Sequence, residues 1–93
     1  MSATLKLALH DVAEPEALAR IAERRVADLS AALPSLITCR LAAEPAGAQF
    51  EAHVELFFPE RQVIFNRLGA TAEAALIAAL DAVAKARALP LAA

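Results

Sequence analysis

Few residues in this chain could do chemistry. They are His10 beside Asp11, His53 two positions before Glu55, the single cysteine Cys39, and basic side chains grouped as Arg20, Arg24 and Arg25 and again as Lys85 and Arg87. A histidine and a carboxylate two apart on a strand share one face at about 7 Å, a spacing that suits a general base or a pair of metal ligands. Two histidines and a cysteine that falls at an apolar strand position make too few convergent ligands for zinc. Alternating polar residues are also what any wetted sheet face presents. Glycine occurs only at positions 47 and 69, and neither a phosphate-binding loop, a dinucleotide fingerprint, a His-Glu-x-x-His pair nor a serine elbow is present. The expectation is a protein without catalytic residues, metal or cofactor, and so not an enzyme.

The basic residues admit two readings. Glu16, Arg20, Arg24 and Asp28 follow one another at i, i+4 spacing, and Asp81 precedes Lys85 by four. This is the pattern of a solvated helix face laced with local ion pairs. Arg25 and Arg87 have no such neighbour. If the two helices that carry these groups lie side by side, the five cations merge into a patch able to contact phosphates. Spacing alone leaves both readings open.

The elements that must position these residues follow from hydrophobic period. Leu5, Leu7 and Leu9 alternate with Thr4, Lys6, Ala8 and His10, which predicts a first strand over 4–10. Pro15 suits the first turn of a helix, where its missing N–H is no loss, and Glu14 and Glu16 favour the positive end of the dipole. Leu18, Ile21, Ala22, Val26, Leu29 and Leu33 then recur at helical spacing until Pro34 and Ser35. A second strand is predicted over 36–43, with Ile37, Cys39 and Leu41 on the core side. A loop over 44–48 follows, and then the clearest strand, in which Phe50, Ala52, Val54, Leu56 and Phe58 alternate with Gln49, Glu51, His53 and Glu55. Residues 62–67 are a fourth strand, with Val63 and Phe65 inward. Thr71 is a candidate N-cap for a second helix carrying Ala75, Leu76, Ala79, Leu80 and Val83 inward, which Pro90 ends.

The resulting order is β-α-β-β-β-α. A right-handed crossover makes strands one and two parallel, short loops make the rest antiparallel, and the sheet order is 1-2-3-4. The fold class is α+β, a four-stranded mixed sheet with two helices on one face and water on the other. At 93 residues the chain is expected to form one domain over 1–93, with a core kept modest by the absence of Trp and Tyr. So small a core leaves stability thin and favours self-association. A net charge of -2 excludes a generic polyanion binder. A lone cysteine, no signal-peptide pattern and no apolar run of about 20 residues predict a cytoplasmic protein without a membrane span.

Against that background the chain resembles the ribosome hibernation promoting factor and ribosome-associated inhibitor family over nearly its whole length. The resemblance rests on Glu16-Ala17-Leu18 and Arg24-Arg25-Val26-Ala27-Asp28-Leu29 in the first helix. It continues through Ile37-Thr38-Cys39-Arg40, Phe50 to Pro59, and Val63-Ile64-Phe65-Asn66-Arg67, and ends with Ala74-Ala75-Leu76, Leu80-Asp81-Ala82-Val83 and Lys85 in the second helix. The order of these segments, more than any one of them, carries it. The resemblance implies a translation regulator that occupies the messenger and transfer RNA channel of the small ribosomal subunit. Arg20, Arg24, Arg25, Lys85 and Arg87 would then face its 16S rRNA.

Ile77, Ala78, Ala84 and Ala86 stand where the family usually offers charged or polar residues. They motivate the alternative, a protein-interaction or self-associating module that kept the fold and lost RNA binding. Its candidate homodimer surface is Ile77, Ala78 and Ala84.

Overall fold

The computed structural model describes residues 3–86; the expectations for Arg87 and Pro90 fall outside the described residues. The elements run β1 (Thr4–Leu9), α1 (Pro15–Ala32), β2 (Thr38–Ala46), β3 (Gln49–Phe57), β4 (Gln62–Gly69) and α2 (Ala72–Ala86). They form one four-stranded sheet in the order β1-β2-β3-β4, with β1 parallel to β2 and both later pairings antiparallel. Order, directions and fold class are those expected from the hydrophobic period.

Local chemistry explains the element ends. Pro15 opens α1, where its fixed φ is already helical. Glu14 before it takes a left-handed backbone, φ 51 and ψ 57, and offers no side-chain cap. α2 is capped as predicted: the Thr71 hydroxyl accepts a hydrogen bond from the Ala74 amide at 3.0 Å, satisfying one of the orphan donors of the first turn. The expected loop over 44–48 is shorter than its composition suggested. Ala46 pairs with Gln49, so only Gly47 and Ala48 connect the strands, and Gly47 sits at φ 65, as at the first central position of a type II′ hairpin turn. Pro45 lies past the last β1 partner in the register, where its lack of an N–H costs the ladder nothing.

The core lies between the sheet and the helices. Cys39, Leu41, Ala43, Ala52, Val54 and Leu56 form its floor, and Leu18, Ala22, Val26, Leu29, Ala72, Ala75, Leu76, Ala79, Leu80 and Val83 its roof. Val63 and Phe65 point the same way and pack partly buried against it. Ser30 is the one buried polar side chain among the described residues, and its hydroxyl accepts from the Ala3 amide at 2.8 Å.

Two apolar placements differ from expectation. Ile37 was expected on the core side with Cys39 and Leu41, yet it is 52% exposed. It precedes β2 and spends its backbone at the end of the sheet, donating to the Phe57 carbonyl and accepting from the Thr4 amide. Leu36, carried inward by the turn after α1, fills the core instead. Ile21 is only half-buried, being at the margin of the stripe that faces the sheet.

At Gly69 the first turn of α2 lies close against the end of β4. A Cβ there would stand 2.5 Å from the Ala75 amide nitrogen and 2.9 Å from the Ala74 carbonyl carbon, both backbone atoms that cannot swing aside. Gly69→Ala is expected to destabilise the fold by about 1–3 kcal/mol, the range for forced overpacking, and Leu29→Ala by about 2–5 kcal/mol through the cavity it leaves. Urea unfolding followed by circular dichroism checks both. A neutral Gly69→Ala would refute the close approach.

Candidate nucleic-acid interface

The two helices lead back along the sheet in the same sense, since β1 and β4 both run parallel to β2 and each is followed by its helix. Their first turns therefore lie together, and a shallow depression between them is lined by Glu14, Ala17, Leu18, Thr71 and Glu73. A second depression further along is lined by Arg25, Asp28, Leu29 and Ala32 of α1 and by Leu80 and Ala84 of α2. Of the sequence-predicted cations, Arg20, Arg24 and Arg25 lie on α1 and Lys85 on α2, and Arg25 lines this second depression.

Their pairing is not the one that spacing suggested. Arg25, which had no intrahelical neighbour, reaches across the groove to Asp81, with Nη1 3.2 Å from Oδ1. Both side chains are about half exposed, 44% and 52%, so the bridge contributes at most about 1 kcal/mol. The i, i+4 ladder of Glu16, Arg20, Arg24 and Asp28 forms no ion pair among the described residues, and neither does Asp81 with Lys85. Arg20, Arg24 and Lys85 stand exposed, with no ion-pair partner among the described residues. Thus among the described residues the three cations that spacing appeared to mask make no ion pair, and Arg25, which it appeared to leave unpaired, is engaged.

The structure adds a cation that spacing did not place in this group. Arg67 near the end of β4 lines a third depression with Phe65, Ala78, Asp81, Ala82 and Lys85. Its guanidinium carbon lies 5.9 Å from the Phe65 ring centre, and Nη1 donates to the Asn66 carbonyl at 2.7 Å. Only the Asn66-Arg67 pair marked this residue in the sequence; nothing in its spacing joins it to Lys85, since the contact is made by tertiary packing.

The apolar residues of α2 are divided. Ala84 lines the groove toward α1 and Ala78 the depression beside β4, while Ile77 is half-buried.

On the opposite face of the sheet, His53 does not pair with Glu55. Its Nδ1 lies 2.7 Å from Asn66 Oδ1 and its Nε2 3.4 Å from Glu51 Oε1. Glu55 accepts from Gln62 at 2.7 Å and faces Arg40 at 4.0 Å. Glu44, Glu51 and His53 bring one ligand atom each within 4.8 Å of one another, a small cluster on the open face of the sheet.

No protein-family model matches the chain, and no curated protein matches it. Solved structures do. The chain is similar to the crystal structure of the N-terminal domain of Thermus thermophilus Protein Y, with a TM-score of 0.75 and 19% identity over 91% of this chain and 93% of that one. It is also similar to a ribosomal subunit interface protein from Coxiella burnetii, with a TM-score of 0.85 and 7% identity over 97% of this chain and 99% of that one. At these identities the likeness is one of fold. The fold shared with these two proteins has the element order and sheet order expected from the sequence.

Cys39 offers a check on the layer beneath. Burial without a charged partner pushes its thiol up to about 11 from 9.0. In the folded protein it should resist maleimide or disulfide reagents at pH 8 and react on unfolding. Because the unfolded thiol ionises first, the stability linked to this group is full below about pH 9 and is lost as pH rises toward 11. A Cys39→Ala variant should lack that component of the alkaline decline.

Proposed function

We propose that this chain is a ribosome-associated translation regulator that binds the small ribosomal subunit through 16S rRNA and promotes hibernation or inhibition by occupancy. The observation that carries the reading is the fold likeness over nearly the whole chain to two proteins, one of them named a ribosomal subunit interface protein. The charge layout supports it: Arg20 and Arg24 on α1, and Lys85 with Arg67 beside α2, offer cations to phosphates on one side of the molecule. The setting is the cytoplasm, where ribosomes are, and none of the described helices is long and apolar enough to cross a membrane.

Occupancy needs no reacting group. What it needs is a rigid scaffold that carries cations to a backbone, and release of counterions then supplies a salt-dependent attraction. A net charge of -2 and the engagement of Arg25 by Asp81 make that attraction weak. The contact should therefore be sensitive to salt, each phosphate neutralised adding about 0.7–0.9 to the slope of log affinity against log salt. The second reading, an interaction module that kept the fold and lost RNA binding, draws on the same acidic balance.

Co-sedimentation with purified small subunits across a salt series separates them. Salt-dependent pelleting is expected, weakened by Arg20→Glu with Arg24→Glu and accompanied by a shallower salt slope. Asp81→Asn, which releases Arg25, should strengthen it several-fold. Absence of pelleting at low salt would leave the interaction module as the function of the fold.

A further inference from the structure

The open face of the sheet carries a charge pattern that the ribosome reading does not use. Register places Lys6 of β1 opposite Arg40 of β2, so two cations stand side by side. Two residues further along each strand come Ala8 and Ala42, in line with His53 and Asn66. Beyond them Glu44 of β2 stands opposite Glu51 of β3, so two anions stand side by side. Like charges directly opposite one another on a sheet face are destabilising within one molecule. Here a cationic pair and an anionic pair lie on either side of a row whose β1 and β2 members are alanines. On β4 the same two levels carry Ile64 and Leu68, each 55% exposed.

Such a face is complementary to itself. Turning a second copy over about an axis that lies in the face and runs across the strands through the Ala42 and His53 row keeps each strand over its own counterpart and exchanges the two levels. Arg40 of one copy then faces Glu44 of the other, with Lys6 and Glu51 at their flanks, and Ile64 faces Leu68. Successive residues on one face are about 7 Å apart, so each charge sits one level from the axis. The small side chains at Ala8 and Ala42, which leave a depression lined also by Lys6, Arg40 and Glu55, let the two sheets approach near the axis. The one opposition of like sign is Glu55 with Glu51. Within its own chain Glu55 accepts from Gln62 at 2.7 Å and lies 4.0 Å from Arg40, and Glu51 lies 3.4 Å from the His53 ring.

We propose that the open sheet face is a homodimer surface, packed against the same face of a second copy about this axis. Aligned packing of sheet on sheet, with strands within about 30° of each other, is a recurrent solution for covering a face. The dimer leaves the helical layer free, so it stands or falls apart from ribosome binding. It also differs from a dimer through α2, because Ile77, Ala78 and Ala84 take no part.

The test is sedimentation equilibrium of the chain over a concentration and salt series, with circular dichroism confirming that each variant folds. Wild type is expected to dimerise, more weakly at high salt. Arg40→Glu alone or Glu44→Arg alone should each weaken association by more than about tenfold. The double variant Arg40→Glu with Glu44→Arg restores the complementarity across the axis and should restore the dimer. Ile64→Lys should also weaken it, while Ile77→Lys should not. A monomeric wild type, or a double variant no better than the singles, would overturn the proposal.

Discussion

The structure depends on how closely α2 can lie on the sheet. With four Phe and no Trp or Tyr, the chain has little large apolar surface, and contact has to come from proximity. Ala72, Ala75 and Ala79 give α2 a smooth inner side, and Ala43 and Ala52 do the same for the strands beneath. Gly69 removes the last obstacle where the helix begins. Because dispersion falls steeply with a gap of even half an ångström, this alanine-lined contact holds only while the backbones keep their distance. Leu41, Leu56, Leu76 and Val54 are consequently almost fully buried, and Cys39 between them behaves as a small apolar side chain.

That constraint also fixes which surface can carry charge. A helix laid flat on a sheet by its small residues turns its remaining positions outward, and in α1 those positions hold Arg20 and Arg24. α1 and α2 are near enough for Arg25 to reach Asp81, and α2 is near enough to β4 for Arg67 and Lys85 to share a groove. The meeting of Arg25 with Asp81 and of Arg67 with Lys85 is a product of packing distance. Such a bridge between half-exposed groups is weak, so a polyanion can compete for Arg25 at small cost.

Strand period and helix stripe made most of the fold legible, because burial on one face imposes a repeat on the residues that must face it. Topology followed from loop length and crossover handedness. What the sequence hid was of two kinds. Ile37 kept the parity of a core residue and lost its burial because it lies at the sheet end, where no helix covers it; parity assigns a face and carries no record of how far the covering layer extends. The ion pairs were hidden for the opposite reason. Spacing of four counts neighbours on one helix, while Arg25 and Asp81 are 56 positions apart and meet only once both helices are docked.

The site therefore divides into a part that composition carries and a part that only assembly creates. Arg20 and Arg24 are on the outer face of α1 whatever the rest of the chain does, since the stripe of Leu18, Ala22, Val26 and Leu29 must point inward. Arg67 is cationic in any register, but it joins Lys85 only because Gly69 lets α2 fold back over β4. Glu44, Glu51 and Glu55 stand on the open face of the sheet, but Glu16, Glu23 and Asp28 of α1 and Glu73 and Asp81 of α2 share the helical layer with the cations, so charge of both signs is interspersed there. Net charge sets the long-range approach, whereas the near contact is governed by which groups share a face.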